Sequence, residues 1–108
     1  MELADYQRLS RRTAQYPREA WLTYPVLGLA GEAGEVAEHA KKVIRDDGGA
    51  VSDERRAAMA KELGDVLWYV AQIASELGLG LEEVAQGNLE KLLSRQRRGV
   101  LAGSGDER

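Results

Sequence analysis

The chain has no cysteine and no phenylalanine, only two prolines and a single histidine. Without cysteine there is no disulfide, no thiolate metal site and no cysteine nucleophile. One histidine and no thiol leave too few donors for a zinc centre. No apolar run approaches the roughly 18 residues needed to span a bilayer. The opening Met1-Glu2-Leu3-Ala4-Asp5 has neither the basic start nor the apolar core of a signal peptide. A cytoplasmic protein without membrane contact is the expectation. An excess of basic charge is also missing: 15 Lys and Arg against 18 Asp and Glu give a net charge of -3, which offers no field to a nucleic acid polymer. There is no Gly-x-Ser-x-Gly elbow and no Walker-type phosphate loop. What remains is 108 residues, 44% hydrophobic and 31% charged. That describes one globular domain, residues 1–108, small enough to gain from oligomerisation.

What the chain does have is an acidic pattern that occurs twice. Glu32-Ala33-Gly34-Glu35-Val36 and Glu62-Leu63-Gly64-Asp65-Val66 both read Glu-x-Gly-acid-Val. Residues three apart share one face of a helix, so each copy presents a close pair of carboxylates. The two pairs lie equally far from Gly48-Gly49. An antiparallel helical hairpin folded there brings both pairs to the same height, face to face. Four carboxylates in one small volume repel, and some stay protonated unless a cation intervenes. The matching cation is a hard one with oxygen ligands, Mg²⁺ or Mn²⁺. Glu32, Glu35, Glu62 and Asp65 are therefore candidate metal ligands. A di-iron site is not indicated, because it wants Glu-x-x-His and His39 stands four residues after Glu35.

Periodicity and punctuation predict four helices and no strands. The first covers residues 2 to about 15 with Leu3, Tyr6, Leu9 and Thr13 or Ala14 on one stripe, and Pro17 interrupts it. The connector to Pro25 carries Tyr16, Trp21 and Tyr24, either as a plug for the bundle end or as a platform for a flat ligand such as a nucleobase. The second helix runs from about Pro25 to Arg45, with Val26, Ala30, Ala33, Ala37, Ala40 and Ile44 as its apolar seam, Glu32, Glu35 and His39 beside it, and Glu38, Lys41 and Arg45 toward solvent. Gly28, Gly31 and Gly34 each cost about 1 kcal/mol against alanine in a helix, so a close approach to this backbone is expected. Ser52 or Asp53 caps the third helix, which stops at Gly78. Its seam is Met59, Leu63, Val66, Leu67, Val70, Ile73, Ala74 and Leu77. Tyr69 follows Asp65 by one turn, and Trp68 faces away, toward a subunit interface or the first helix. The fourth helix, about Leu81 to Arg97 or Arg98, has Val84, Leu89, Leu92 and Leu93 as its apolar set and Asn88, Lys91 and Arg95 roughly along one stripe. The tail after Arg98 is small and polar. It is expected to be disordered unless its Gly-Ser-Gly wraps phosphate oxygens.

Magnesium keeps several waters and is completed by substrate phosphates. An all-oxygen helical site therefore suggests a phosphorylated substrate and attack of water on phosphorus, with a spare carboxylate accepting the water's proton. Lys91, Arg95 or a tail arginine can hold the outlying phosphates.

Glu32-x-x-Glu35, 26 further residues, then Glu62-x-x-Asp65 inside Lys-Glu-Leu-Gly-Asp-Val-Leu-Trp-Tyr, resembles the MazG-like all-α nucleoside triphosphate pyrophosphohydrolases over residues 22–98. The resemblance implies an antiparallel all-α bundle whose four-helix core is completed in a homodimer or homotetramer. It implies Mg²⁺-dependent cleavage of a nucleoside triphosphate to monophosphate and pyrophosphate, in house-cleaning of non-canonical or excess nucleotides. Glu32, Glu35, Glu62 and Asp65 become the metal ligands, with Glu35 or Glu38 positioning the water. Asn88 and Lys91 face the phosphates, and Ser104, Asp106 and Arg108 of a tail like that of a small bacterial and phage branch close over the substrate. Trp21 and Tyr69 are the aromatic candidates for the base. His39 has no counterpart in that pattern. The alternatives are a phosphoribosyl-ATP pyrophosphohydrolase and, from another class, a helical interaction module with no catalytic role.

Overall fold

A computed structural model describes residues 1–108. It is all-helical: α1 (Leu3–Ser10), α2 (Thr23–Arg45), α3 (Asp53–Glu76) and α4 (Leu81–Arg98), with two short 3₁₀ turns, Arg11–Thr13 and Arg18–Ala20, between α1 and α2. No helix is long and apolar enough to cross a membrane.

α1 ends sooner than its apolar pattern suggests. The Thr13 hydroxyl donates to the Ser10 carbonyl at 2.7 Å, the acceptor that the Ala14 N–H would need in an α-helix. Ala14 N–H turns instead to the Arg11 carbonyl, and the chain tightens into a 3₁₀ turn. α2 starts two residues before Pro25, which sits buried in the first turn where a missing N–H costs nothing. α3 begins as its sequence dictates: Ser52 Oγ accepts the Arg55 N–H at 3.1 Å, and Gly78 takes a positive φ of 70° just beyond its end.

α2 and α3 form the antiparallel hairpin. Gly28 meets Tyr69, Glu32 meets Glu62 and Asp65, and His39 meets Arg55, so positions later in α2 face earlier ones in α3. The inward face of α2 is not the expected one. Leu29, Glu32, Val36, His39 and Val43 are half-buried, whereas Ala30, Ala33, Ala37 and Ala40 are exposed, and so are Val26 and Ile44. On α3, Leu63 and Leu67 also point outward. Glu32 and Glu62 lie in the seam itself, and the alanine stripe lies on an exposed face.

Polar side chains fasten α1 to the rest. Gln7 Nε2 donates to Ser75 Oγ at 3.0 Å and to the Leu79 carbonyl at 2.9 Å, while its Oε1 accepts the Leu81 N–H at 2.8 Å. One side chain thus closes the α3–α4 turn and satisfies an N–H that the first turn of α4 leaves open. Gln72 is fully buried, donating to Ser10 Oγ and accepting from Arg11 Nη1.

The apolar interior is thin. Only Ala71, Ala74 and Leu81 are buried hydrophobic side chains besides Pro25. The α4 set Val84, Leu89, Leu92 and Leu93 stays 40–50% exposed. The chain presents 7621 Å² to solvent, against about 5,900 Å² for a folded monomer of its mass. Its radius of gyration is 16.7 Å, where about 13 Å is usual.

Candidate metal and nucleotide site

The hairpin brings oxygen atoms of Glu32, Glu62 and Asp65 within 4.8 Å of one another. Glu32 and Glu62 are half-buried and Asp65 is exposed. Register explains the convergence. Glu32 and Glu62 sit mid-helix on the seam, so closing the hairpin brings them together with Asp65 at the seam's edge, while Glu35 turns outward. The Glu32 carboxyl is pushed up from its ordinary value of 4.5, first by a hydrogen bond with Glu62, then by burial and by the charges of Asp65, Glu62 and Glu35. Glu35 is close enough to act on Glu32 but stands outside the trio, exposed and without an ion-pair partner.

A cavity of ≈ 340 Å³ opens beside these acids, lined by Thr13, Glu32, Asp65, Trp68 and Tyr69. Tyr69 packs against α2 at Gly28, which has no side chain to obstruct its ring. Burial, Tyr24, Glu32 and Asp65 push the Tyr69 hydroxyl up. Trp68 meets Tyr69 edge to face at 5.0 Å and donates its Nε1–H to Thr13 Oγ1 at 2.7 Å. Trp68 is thus covered from the α1 side, one of the two readings open for it. Thr13 and Trp68 were not anticipated in the site. Trp68 lies three residues after Asp65 and so near the same helix face, which was the available signal. Thr13 had none, because its place depends on the early end of α1.

Other expected residues are placed elsewhere in this chain. Glu38 faces solvent in an ion pair with Lys41 at 2.9 Å, which holds its carboxyl below the usual range, so it does not join the trio. Trp21 is 44% exposed and lines a separate cavity of ≈ 370 Å³ with Arg11, Tyr16 and Glu76. Tyr16 and Tyr24 stack at 5.2 Å. Of the three α2 glycines, Gly28 has its close neighbour in Tyr69, while Gly31 and Gly34 face open space.

Asn88, Lys91 and Arg95 line neither cavity. Lys91 Nζ and Arg95 Nη2 hold Asp106 Oδ1, at 2.8 and 3.1 Å, and Arg95 is only 5% exposed. Arg108 donates to the carbonyls of Val100, Leu101 and Gly105. The tail is therefore folded back on the end of α4 as a hook, rather than disordered. Neither Ser104, Asp106 nor Arg108 reaches the acids within one chain.

The donor set suits a hard divalent cation. Every candidate ligand is a carboxylate oxygen, and the raised Glu32 carboxyl is what crowded acids show without a countercharge.

The MazG nucleotide pyrophosphohydrolase domain matches residues 23–100, which include both acid pairs. The chain is 46% identical to the Gene 37 protein of Mycobacterium phage L5 over the full length of both. It is 30% identical to the uncharacterized protein YvdC of Bacillus subtilis (strain 168), covering 88% of this chain and 96% of that one. No solved structure gives a significant match. With the paired acids on adjacent antiparallel helices and the domain match running through them, the chain belongs to the MazG nucleotide pyrophosphohydrolase family.

Proposed function

We propose that the protein is a Mg²⁺-dependent nucleoside triphosphate pyrophosphohydrolase. It hydrolyses (d)NTPs to (d)NMPs and pyrophosphate and clears non-canonical or excess nucleotides from the cytoplasmic pool. The observation that carries this reading is the convergence of Glu32, Glu62 and Asp65 beside a cavity walled by Trp68 and Tyr69.

Glu32, Glu62 and Asp65 would hold the cation, with Glu35 as a further ligand or as the base. When bound, Mg²⁺ neutralises charge developing on the phosphate oxygens, and Mn²⁺ can replace it. Glu35, with no ion-pair partner, accepts the proton of the attacking water. The water oxygen bonds to the α-phosphorus, the bond to the α–β bridging oxygen breaks, and pyrophosphate departs. Tyr69, seated by Gly28, gives the base or sugar an aromatic wall.

The active form is a homodimer or homotetramer. The exposed alanine stripe of α2 and the apolar set of α4 supply the surface for it, and the excess of roughly 1,700 Å² over an ordinary monomer is what an obligate interface covers. Asn88, Lys91 and Arg95 then reach the phosphates of a neighbouring protomer's site once the tail hook opens. Ser104, Asp106 and Arg108 close over the nucleotide. Val26→Asp or Leu92→Glu is expected to convert the oligomer to monomer in sedimentation analysis.

The test is pyrophosphate release from a panel of canonical and damaged triphosphates, with phosphoribosyl-ATP included. Turnover of one or more triphosphates only in the presence of Mg²⁺ is expected. Turnover of phosphoribosyl-ATP alone would replace this reading with the biosynthetic one. No turnover of any substrate, with no thermal response to Mg²⁺, would favour an interaction module.

A further inference from the structure

His39 is the only histidine in the chain, and the acid cluster does not explain it. It lies in the α2–α3 seam two turns beyond Glu32, with its ring between Arg55 and Glu62. Arg55 Nη1 is 3.1 Å from His39 Nδ1, and His39 Nε2 is 3.8 Å from Glu62 Oε1. Arg55 is fixed from two further sides. Its Nε donates to Asp47 Oδ2 at 2.9 Å, and its backbone N–H donates to Ser52 Oγ at 3.1 Å. The side chains of Asp47, Arg55, His39 and Glu62 are each only 18–23% exposed. They form a polar rail from the hairpin turn to the acid cluster.

The direction of this rail follows from its chemistry. A guanidinium has five N–H donors and no acceptor. His39 Nδ1 must therefore accept from Arg55, which puts the ring proton on Nε2, the nitrogen turned toward Glu62. A protonated Nε2 has no lone pair to offer a metal, so His39 is not a ligand. At 3.8 Å, just beyond hydrogen-bond length, it turns an N–H toward the carboxylate of one. Groups that orient a ligating side chain in this way typically change metal affinity by about 10- to 100-fold when removed.

We propose that His39 is a positioning residue for Glu62. Its Nε2–H sets how the Glu62 carboxylate faces the cation, and Arg55, anchored by Asp47 and Ser52, sets the tautomer. The inference rests on the divalent-cation reading of the acid cluster, but its first test does not.

Long-range ¹H–¹⁵N NMR of the labelled wild-type protein reports the tautomer of the one histidine without ambiguity. The Nε2–H form is expected, and an Nδ1–H form would overturn the proposal with no variant needed. The second test is Mn²⁺ binding without nucleotide, followed by the electron paramagnetic resonance signal of free Mn²⁺. His39→Ala and His39→Asn are expected to weaken binding about tenfold. His39→Gln, whose amide N–H falls where Nε2–H was, is expected to stay close to wild type. Equal Mn²⁺ affinity in wild type and a folded His39→Ala would overturn the positioning role and leave the cation site standing. A wild-type protein that takes up no Mn²⁺ would instead overturn the cation reading itself.

Discussion

Gly28→Ala tests the packing beneath the acid cluster. A Cβ built on Gly28 would stand 2.6 Å from Tyr69 Cδ1 and nearer still to Cε1 and Cζ. Carbon atoms in contact keep about 3.5–4.0 Å. The obstruction is the body of an aromatic ring, so relief requires the whole of Tyr69 to move by about an ångström or more, or the hairpin to open. Overpacking of this kind costs about 1–3 kcal/mol, while replacing a helical glycine by alanine returns about 1 kcal/mol. The net loss is therefore about 0–2 kcal/mol. At about 4–8 °C per kcal/mol, the middle of that range lowers the melting temperature by about 4–8 °C. In a Tyr69→Ala background the obstruction is gone, and the same Gly28→Ala change should raise the melting temperature by about 4–8 °C. Thermal unfolding followed by circular dichroism in all four combinations reads this reversal of sign. Gly28→Ala stabilising both backgrounds equally would refute the Tyr69 packing.

Glu32 contributes a pH dependence of its own to the apo protein. Its folded carboxyl lies above the ordinary value of 4.5, so the folded state binds the proton more tightly and this contribution is lost as pH rises through the raised value. Stability without metal should fall upward from about 4.5, the fall should be smaller in Glu32→Gln, and Mg²⁺ should reverse it; identical profiles for wild type and variant would contradict this. Mg²⁺ at a hundredfold excess over its Kd should stabilise by about 2.7 kcal/mol, read as a higher melting temperature, and Glu32→Gln with Asp65→Asn should abolish that gain. Asp106 is depressed by Lys91 and Arg95, so its contribution is present above 3.8 and lost as pH falls through the lowered value. Asp106→Asn should loosen the tail hook, seen as faster amide exchange at residues 100–108.

The parts of the fold legible in the sequence were those set by local chemistry. Ser52, Gly48-Gly49 and Gly78 marked the ends of α2 and α3 because caps and positive-φ turns act within a few residues. The meeting of Glu32 with Glu62 and Asp65 was legible because it needs only helical period and a symmetric turn. The inward face of α2 was not. Periodicity reveals that Val26, Ala30, Ala33, Ala37, Ala40 and Ile44 form an apolar stripe, but not which surface covers it, and within this chain α3 covers the neighbouring stripe instead. Gln7 and Gln72 were invisible for a different reason. Their partners lie 60 to 75 positions away, and nothing local distinguishes a bridging glutamine from a solvated one. Helical period already put Glu38 on the solvent side of α2, where it pairs with Lys41, which conflicts with a water-positioning role within this chain.

Anomalous scattering from crystals grown with Mn²⁺ tests the central claim most directly. A peak within coordination distance of carboxylate oxygens of Glu32, Glu62 and Asp65 is predicted. Ordered side chains at those three positions with no peak between them, under saturating Mn²⁺ and nucleotide, would contradict it.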